Sequence, residues 1–402
     1  MLKQLIVPVC LFLFSVDATQ AQCNPDAVQK LNGKWTKIPE DAISGASQYG
    51  FPRAQVPALL RNMEKYVNPI KEFCPQPVGM DIEWQKVIGF EPLYPNGPQP
   101  NEVESFFEKF YCNNGKQYKE DDEGPHSDII IQSNWFFSFL PVTHTDKYFK
   151  GKEIMIMPHQ LGMLQGYPYF EPTYSGADIR THHRTVLLAM PGKLPYRLLT
   201  RQEVLEYMTQ QLDKGKKELL DLINSAKIRP KSEQDAEKAE EAKYLRENYS
   251  DPGVAERYIA NFQSDEQKRD NKKKKAGEDY KYQYDRLDLV RKKYENELDK
   301  PAILYDGNLA YGTINDNWTF VQDKLKDDHL CTPDCHHGHQ FAILNDAYFD
   351  KKLPRGVPQF MTVTFNLTVT NANKFRDPFY EKLKDDWEKK FNFARLAELL
   401  GK

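Results

Sequence analysis

Cysteine is scarce in this chain, with six in 402 residues, and net charge is almost absent, at a formal −3. A balance this close to neutral supplies no bulk field for a polyanion, so nucleic acid is not expected as a partner. Long apolar runs are missing after Val16. No later stretch reaches the ~18 apolar residues of a spanning helix, so no transmembrane span is expected once a leader is removed. Familiar catalytic signatures are missing too. There is no Gly-x-Ser-x-Gly elbow and no His-Glu-x-x-His pair. The segment from His159 through Gly162 to Gly166 lacks the lysine and glycine pattern of a phosphate loop. Asp121, Asp122 and Glu123 are not followed by a calcium loop of the usual ~12 residues and read as a solvated acidic turn. No catalytic residue is assigned on these grounds.

What is present begins at the N-terminus. Met1 and Lys3 give a short positive start, and Leu5 to Val16 is an apolar run of signal-peptide size. Small residues follow, with cleavage expected after Ala21 or Ala18. Residues 1–21 therefore read as a signal peptide, and the protein as periplasmic or secreted. Cys23 invites a lipid anchor, but the bulky Gln22 before it argues against that processing.

Cys10 leaves with the leader, and Cys23, Cys74, Cys112, Cys331 and Cys335 remain. Five cysteines cannot all pair within one chain, although export favours pairing. The expectation is a Cys74–Cys112 disulfide. Cys331 and Cys335 form a local pair or bind metal, and Cys23 is the odd residue near a frayed end.

The mature chain divides into three zones. Residues 22–199 are aromatic, Pro-rich and β-leaning. Strands are expected over Ile129–Leu140, Glu153–Met157 and Arg184–Met190, and helices over Pro57–Phe73 and Glu102–Tyr111, where Val103, Phe106, Phe107 and Phe110 recur. Residues 200–300 are charged and helical. Thr200 and Glu203 form a capping box, and Val204, Met208, Leu212, Leu219 and Ile223 make one stripe. Tyr280, Tyr284, Leu287, Val290, Tyr294 and Leu298 make another, giving an antiparallel, coiled-coil-like hairpin with a solvated tip between. Lys272 to Lys275 reads as solvated surface, with a polyanion or membrane contact as the alternative. Residues 301–402 return to strands. Met361 to Thr370 alternates apolar and polar residues, as a strand with one buried and one wet face should. Ala302–Tyr305 and Phe341–Leu344 are its expected neighbours, and a helix over Pro378–Leu400 closes the chain. These zones define an α+β fold: a mixed or antiparallel sheet with packed helices and an inserted charged helical hairpin. The outer zones can share one sheet.

One segment looks like chemistry. His329, Cys331, Cys335, His336, His337 and His339 fall within eleven residues. Thiolates and imidazoles together suit zinc or copper. Cys335-His336 also resembles a c-type haem attachment with one residue too many between the cysteines. The plainer reading is a Cys331–Cys335 disulfide on a wet loop, with no cofactor. His144, His159, His182 and His183 are scattered unless folding gathers them. Asn248, Asn317 and Asn366 begin glycosylation sequons.

Phe110-Tyr111-Cys112-Asn113, the passage Leu194-Pro195-Tyr196-Arg197 to Thr200-Arg201-Gln202-Glu203, and Asn345-Asp346-Ala347-Tyr348-Phe349 with Leu353-Pro354 resemble segments of uncharacterised exported proteins of Bacteroidota-type bacteria. That resemblance implies export and no particular activity. The reading as a whole is a non-catalytic binding or scaffolding protein of the cell envelope, with an envelope protein or glycan as partner. The alternative is a metal-dependent enzyme or haem-bearing electron carrier built on 329–339.

Overall fold

The computed structural model describes residues 23–39, 50–120, 127–136, 148–171, 181–251, 253–305, 309–310, 313–314, 338–368 and 377–402. In chain order the elements begin with α1 (Pro25–Val28), β1 (Trp35–Lys37), α2 (Val56–Phe73), β2 (Met80–Val87), β3 (Asn101–Asn113), β4 (Lys116–Lys119) and β5 (Ser127–Ser133). Short strands follow: β6 (Tyr148–Phe149), β7 (Lys152–Glu153), β8 (Met155–Ile156), β9 (His159–Leu164), β10 (Tyr167–Glu171), β11 (Thr181–Leu188) and β12 (Tyr196–Leu198). The helical zone is α3 (Arg201–Ser225), α4 (Lys231–Asn248), α5 (Val254–Asn261) and α6 (Asp265–Lys293). The chain ends with β13 (Ile303–Tyr305), β14 (Leu309–Ala310), β15 (Thr313–Ile314), β16 (Gly338–Leu344), β17 (Met361–Thr368), α7 (Pro378–Lys390) and α8 (Phe393–Ala397).

The architecture is α+β. Nine strands form one mixed sheet in the order β1-β2-β3-β5-β17-β11-β10-β9, with β4 paired to β3. Only β1 and β2 run parallel; every other pairing in this sheet is antiparallel. Gly33 permits the approach to β2, because a Cβ there would lie 1.7 Å from the Met80 carbonyl oxygen. β17 sits between β5 and β11, so the first and last zones share this sheet.

Strand alternation gives the sheet two faces. Ile82, Val103, Phe107, Ile129, Ile131, Val363, Phe365 and Val186 form the apolar face, covered by α2, α7 and α8. Met63, Tyr66 and Ile70 come down from α2, and Trp387, Phe391, Phe393 and Leu396 from α7 and α8. Trp387 is fully buried and meets Phe365 and Phe393 at ring-centroid distances of 5.6 and 5.3 Å. A second, four-stranded sheet pairs β12 and β13 with β16, and β8 with β16. Its Ala342 joins Leu187, Phe170 and Phe360 of the large sheet's other side. Its Phe341 and Ile343 pack instead against Val204, Leu205, Met208 and Leu287 of α3 and α6. The layers therefore run helices, large sheet, small sheet, helical hairpin.

Several expectations fail here for physical reasons. The stretch expected as a helix over Glu102–Tyr111 is part of β3, because it pairs with β2 on one side and, on the other, with β5 up to Phe107 and β4 from Phe110. The polar side of β17 is not wet: Thr362 and Thr364 are as buried as Val363. A central strand has sheet on both edges and, here, cover on both faces. The neighbours of β17 are β5 and β11, whereas β13 and β16 belong to the small sheet. The C-terminal helix breaks at Phe391-Asn392, where Asn392 caps α8 through a bond from Arg395 N.

The expected Cys74–Cys112 disulfide is replaced by Cys23–Cys112, with Cα atoms 5.7 Å apart. Cys112 lies near the far end of β3, beside the turn at Gly115, and Cys23 N donates to the Gly115 carbonyl at 3.0 Å. Cys74 caps α2 at the core's edge as a free thiol, its carbonyl accepting from Trp35 Nε1 at 3.0 Å. Burial pushes its thiol up to about 11.

The capping box is present, with Glu203 N donating to Thr200 Oγ1 at 3.2 Å and Thr200 N to Glu203 Oε2 at 3.1 Å. α3 and α6 form the inserted hairpin, with α4 and α5 between them.

Candidate functional site

The segment singled out for metal or haem lies mostly outside the described residues. Cys331, Cys335, His336 and His337 are not among them. His339 is placed in β16, its backbone opposite Leu304. Among the described residues no group of three or more His, Cys, Asp or Glu is arranged to hold a metal ion. His159 pairs with Glu171 at the sheet edge, and His182 and His183 lie in β11 opposite Leu367 and Asn366. His144 and Asn317 lie outside the described residues. Asn366 is buried and bonded through its side-chain nitrogen, so its sequon is closed to a glycan.

The sheet gathers a different set of side chains. On the face away from α2 and α7, successive strands place polar residues in register. One row runs Val87, Glu102, Gln132, Thr362, Leu187. The next runs Gln85, Glu104, Ile130, Thr364, Thr185, and a third runs Glu83, Phe106, Asp128, Asn366, His183. The rows exist because β2, β3, β5, β17 and β11 are consecutive neighbours with unbroken pairing there.

Within these rows the polar groups satisfy one another. Gln132 Nε2 donates to Glu102, and Thr362 Oγ1 reaches Gln132 Oε1 at 3.4 Å. Gln85 Nε2 donates to Glu104 Oε2 at 2.5 Å. Asn366 Nδ2 donates to Asp128 Oδ1 at 2.6 Å while its Oδ1 meets His183 Nδ1. This makes a hydrogen-bonded chain from imidazole through amide to carboxyl. Thr185 and Thr364 share a hydroxyl bond of 3.0 Å. Lys119 Nζ closes the β4 side, 2.6 Å from Glu108 and 3.2 Å from Glu83.

Burial decides the charge state. Asp128, Glu102 and Gln132 are buried, and burial pushes the Asp128 carboxyl up to about 8, against the lowering bond from Asn366. Burial first, then the bond and charge of Glu104, raise Glu102 well above the usual carboxylate range. Near pH 7 Asp128 therefore holds its proton and acts as donor and acceptor alike. Toward β2 the face opens: Glu83, Gln85, Glu104, Phe106 and Ile130 are half-buried, as is His183 at the other end. At its half-open end the arrangement can offer Glu83, Gln85 and Glu104 to a polar ligand beside the Phe106 ring, and it holds a proton at Asp128.

Sequence reasoning missed this site by reading Glu102–Tyr111 with a helical period. The available signal was Glu102, Glu104 and Glu108 spaced in even steps, the period of one strand face.

Comparison of the chain with protein-family models, with curated proteins and with solved structures returns no match.

Proposed function

We propose that this chain is an exported binding protein whose ligand is a neutral, polyhydroxylated molecule such as a glycan, seated on the polar face of the nine-stranded sheet. One observation carries the reading. Carboxyls, amides and hydroxyls from β3, β5, β17 and β11 fill three adjacent registers of one face, and that face opens toward β2 at Glu83, Gln85, Glu104 and Phe106. A lattice of groups that both donate and accept suits hydroxyls, which do the same. Glu104 and Phe106 at the half-open edge offer a hydrogen-bonding group and an apolar ring to the incoming ligand. Export is supported by the Cys23–Cys112 disulfide and by the leader-like N-terminus. No helix among the described residues is long and apolar enough to cross a membrane.

Saturation-transfer NMR with a panel of neutral oligosaccharides tests this. Binding should appear for at least one, and Phe106→Ala should weaken it at least about tenfold, the equivalent of ~1.4 kcal/mol. Absence of binding across neutral, acidic and basic oligosaccharides would refute the reading.

One observation favours a catalytic reading of the same face: Asp128 keeps a proton near neutral pH and is linked through Asn366 to His183. Cleavage of the bound oligosaccharide, abolished by Asp128→Asn while binding persists, would convert the binding protein into a hydrolase.

A further inference from the structure

The helical hairpin contains a second site, independent of the sheet. α3 and α6 are closely packed from their base up to Gly215, where a Cβ would stand 3.0 Å from the Tyr280 hydroxyl. Beyond that point they part around a groove of about 730 Å³. On the α3 side its wall is apolar: Leu219, Leu222, Ile223 and Ala226 recur at helical spacing. Leu222 is 68% exposed, although it continues the stripe that Leu205, Met208 and Leu212 bury lower down. The facing side of α6 carries Lys268, Arg269, Lys272 and Lys275, with Ala276 at the floor, and Lys227 stands at the end of α3. An apolar stripe thus faces a cationic one, and neither satisfies the other.

The cations are available. Asp265, one of two carboxylates on the rim, is held by Arg229 through bonds of 2.9 Å from Nε and 2.9 Å from a terminal nitrogen, and this pair keeps its carboxyl below the usual range. Arg269 lines the groove with its Nε buried and without a hydrogen-bond acceptor, in a loose ion pair of 3.9 Å with Asp270. Lys227, Lys272 and Lys275 are exposed.

We infer that this groove binds an amphiphilic anion: a single acyl chain along Leu219, Leu222, Ile223 and Ala276, with its carboxylate or phosphate against Arg269, Lys272 and Lys275. The volume is that of a small-molecule site, within the ~300–1,000 Å³ such sites span, and too small to seat a folded partner. The charge pattern selects an anionic head over a neutral or cationic one.

Isothermal titration of the full-length protein with dodecanoate, below its micelle concentration, tests this. The expected result is one site per chain, with dodecanol and dodecyltrimethylammonium each weaker by about tenfold or more, as loss of a charge-assisted contact implies. The double variant Lys272→Glu, Lys275→Glu should lose dodecanoate binding with its thermal unfolding unchanged, because both side chains are exposed. Leu222→Asp should do the same from the apolar side. Equal affinity for all three amphiphiles, or binding indifferent to these variants, would overturn the inference. A second arm uses vesicles of anionic phospholipid. Sedimentation with intact vesicles in the absence of binding to monomeric dodecanoate would also overturn it, in favour of a membrane surface.

Discussion

The helical hairpin is far more densely charged than the sheet body, and the two regions use charge in opposite ways. In the body several charged groups lie inward: Lys86 is 2% exposed and reaches Glu64 at 3.1 Å, and Glu102, Glu108 and Asp128 are buried in the polar face. In the hairpin, α4 buries only Gln234 and Ala242 of its 18 residues, and its ion pairs, such as Lys243–Glu247 at 3.9 Å, lie in water. Burial magnifies each interaction, whereas exposure leaves it screened. The two regions therefore respond differently to the same kind of change.

The largest difference is expected from truncating a core anchor. Trp387→Ala empties a fully enclosed site and should lower unfolding free energy by about 3–5 kcal/mol in urea titration. Leu222→Ala in the hairpin should cost under about 0.5 kcal/mol. A similar cost for both would erase the distinction between the regions. Next, Cys112→Ser releases an 89-residue closure and should cost about 2–5 kcal/mol, whereas Cys74→Ser should leave the disulfide count unchanged on peptide mapping.

The pH response comes third. Asp128 titrates near 8 when folded and near the ordinary ~3.9 when unfolded. Between those values the folded chain holds a proton that the unfolded chain has lost, so stability falls as pH rises from about 4 to about 8. The slope from this group is at most ~1.4 kcal/mol per pH unit. Asp128→Asn should flatten that slope in denaturation curves taken at several pH values. If the variant keeps the wild-type slope, the proton resides elsewhere. Smaller still, Thr200→Ala removes the cap of α3 and should cost about 1 kcal/mol, read as a lowered melting temperature. The least costly event is local opening of the tip. Limited proteolysis should cut first between 231 and 262, since that stretch buries so little, and a first cut in β3 or β17 would contradict it.

Much of this contrast is readable in the residues. The hairpin's capping box, stripes and polar tip are local features, and local features determine helices. α2, β11 and the β17 alternation were legible for the same reason. The failures share one cause, which is that partner strands lie far away in sequence. Nothing within Glu102–Tyr111 announces that β2 and β5 will flank it, so Val103, Phe106, Phe107 and Phe110 fit a helix as well as a strand. Nothing near Thr362 announces that its side chain will be enclosed. The Cys23–Cys112 pairing likewise depends on the turn at Gly115 reaching the N-terminal segment. The candidate polar site is a product of strand order, and strand order is the property least visible in a single sequence.

The position of β17 also sets a schedule. β5 ends at Ser133 and β17 begins at Met361, yet β17 fills the gap between β5 and β11. At ~10 residues per second, the ribosome needs roughly tens of seconds to supply it. Once β11 has emerged, two sheet edges stand open for the rest of that interval, one beside Ile129 and Ile131 and the other beside Val186 and Leu188. Open apolar edges recruit any strand that comes near. The nascent chain therefore has either to be held unfolded until its last tenth has emerged or to be escorted with both edges covered, and the strand that completes the polar site is also the one that ends this vulnerability.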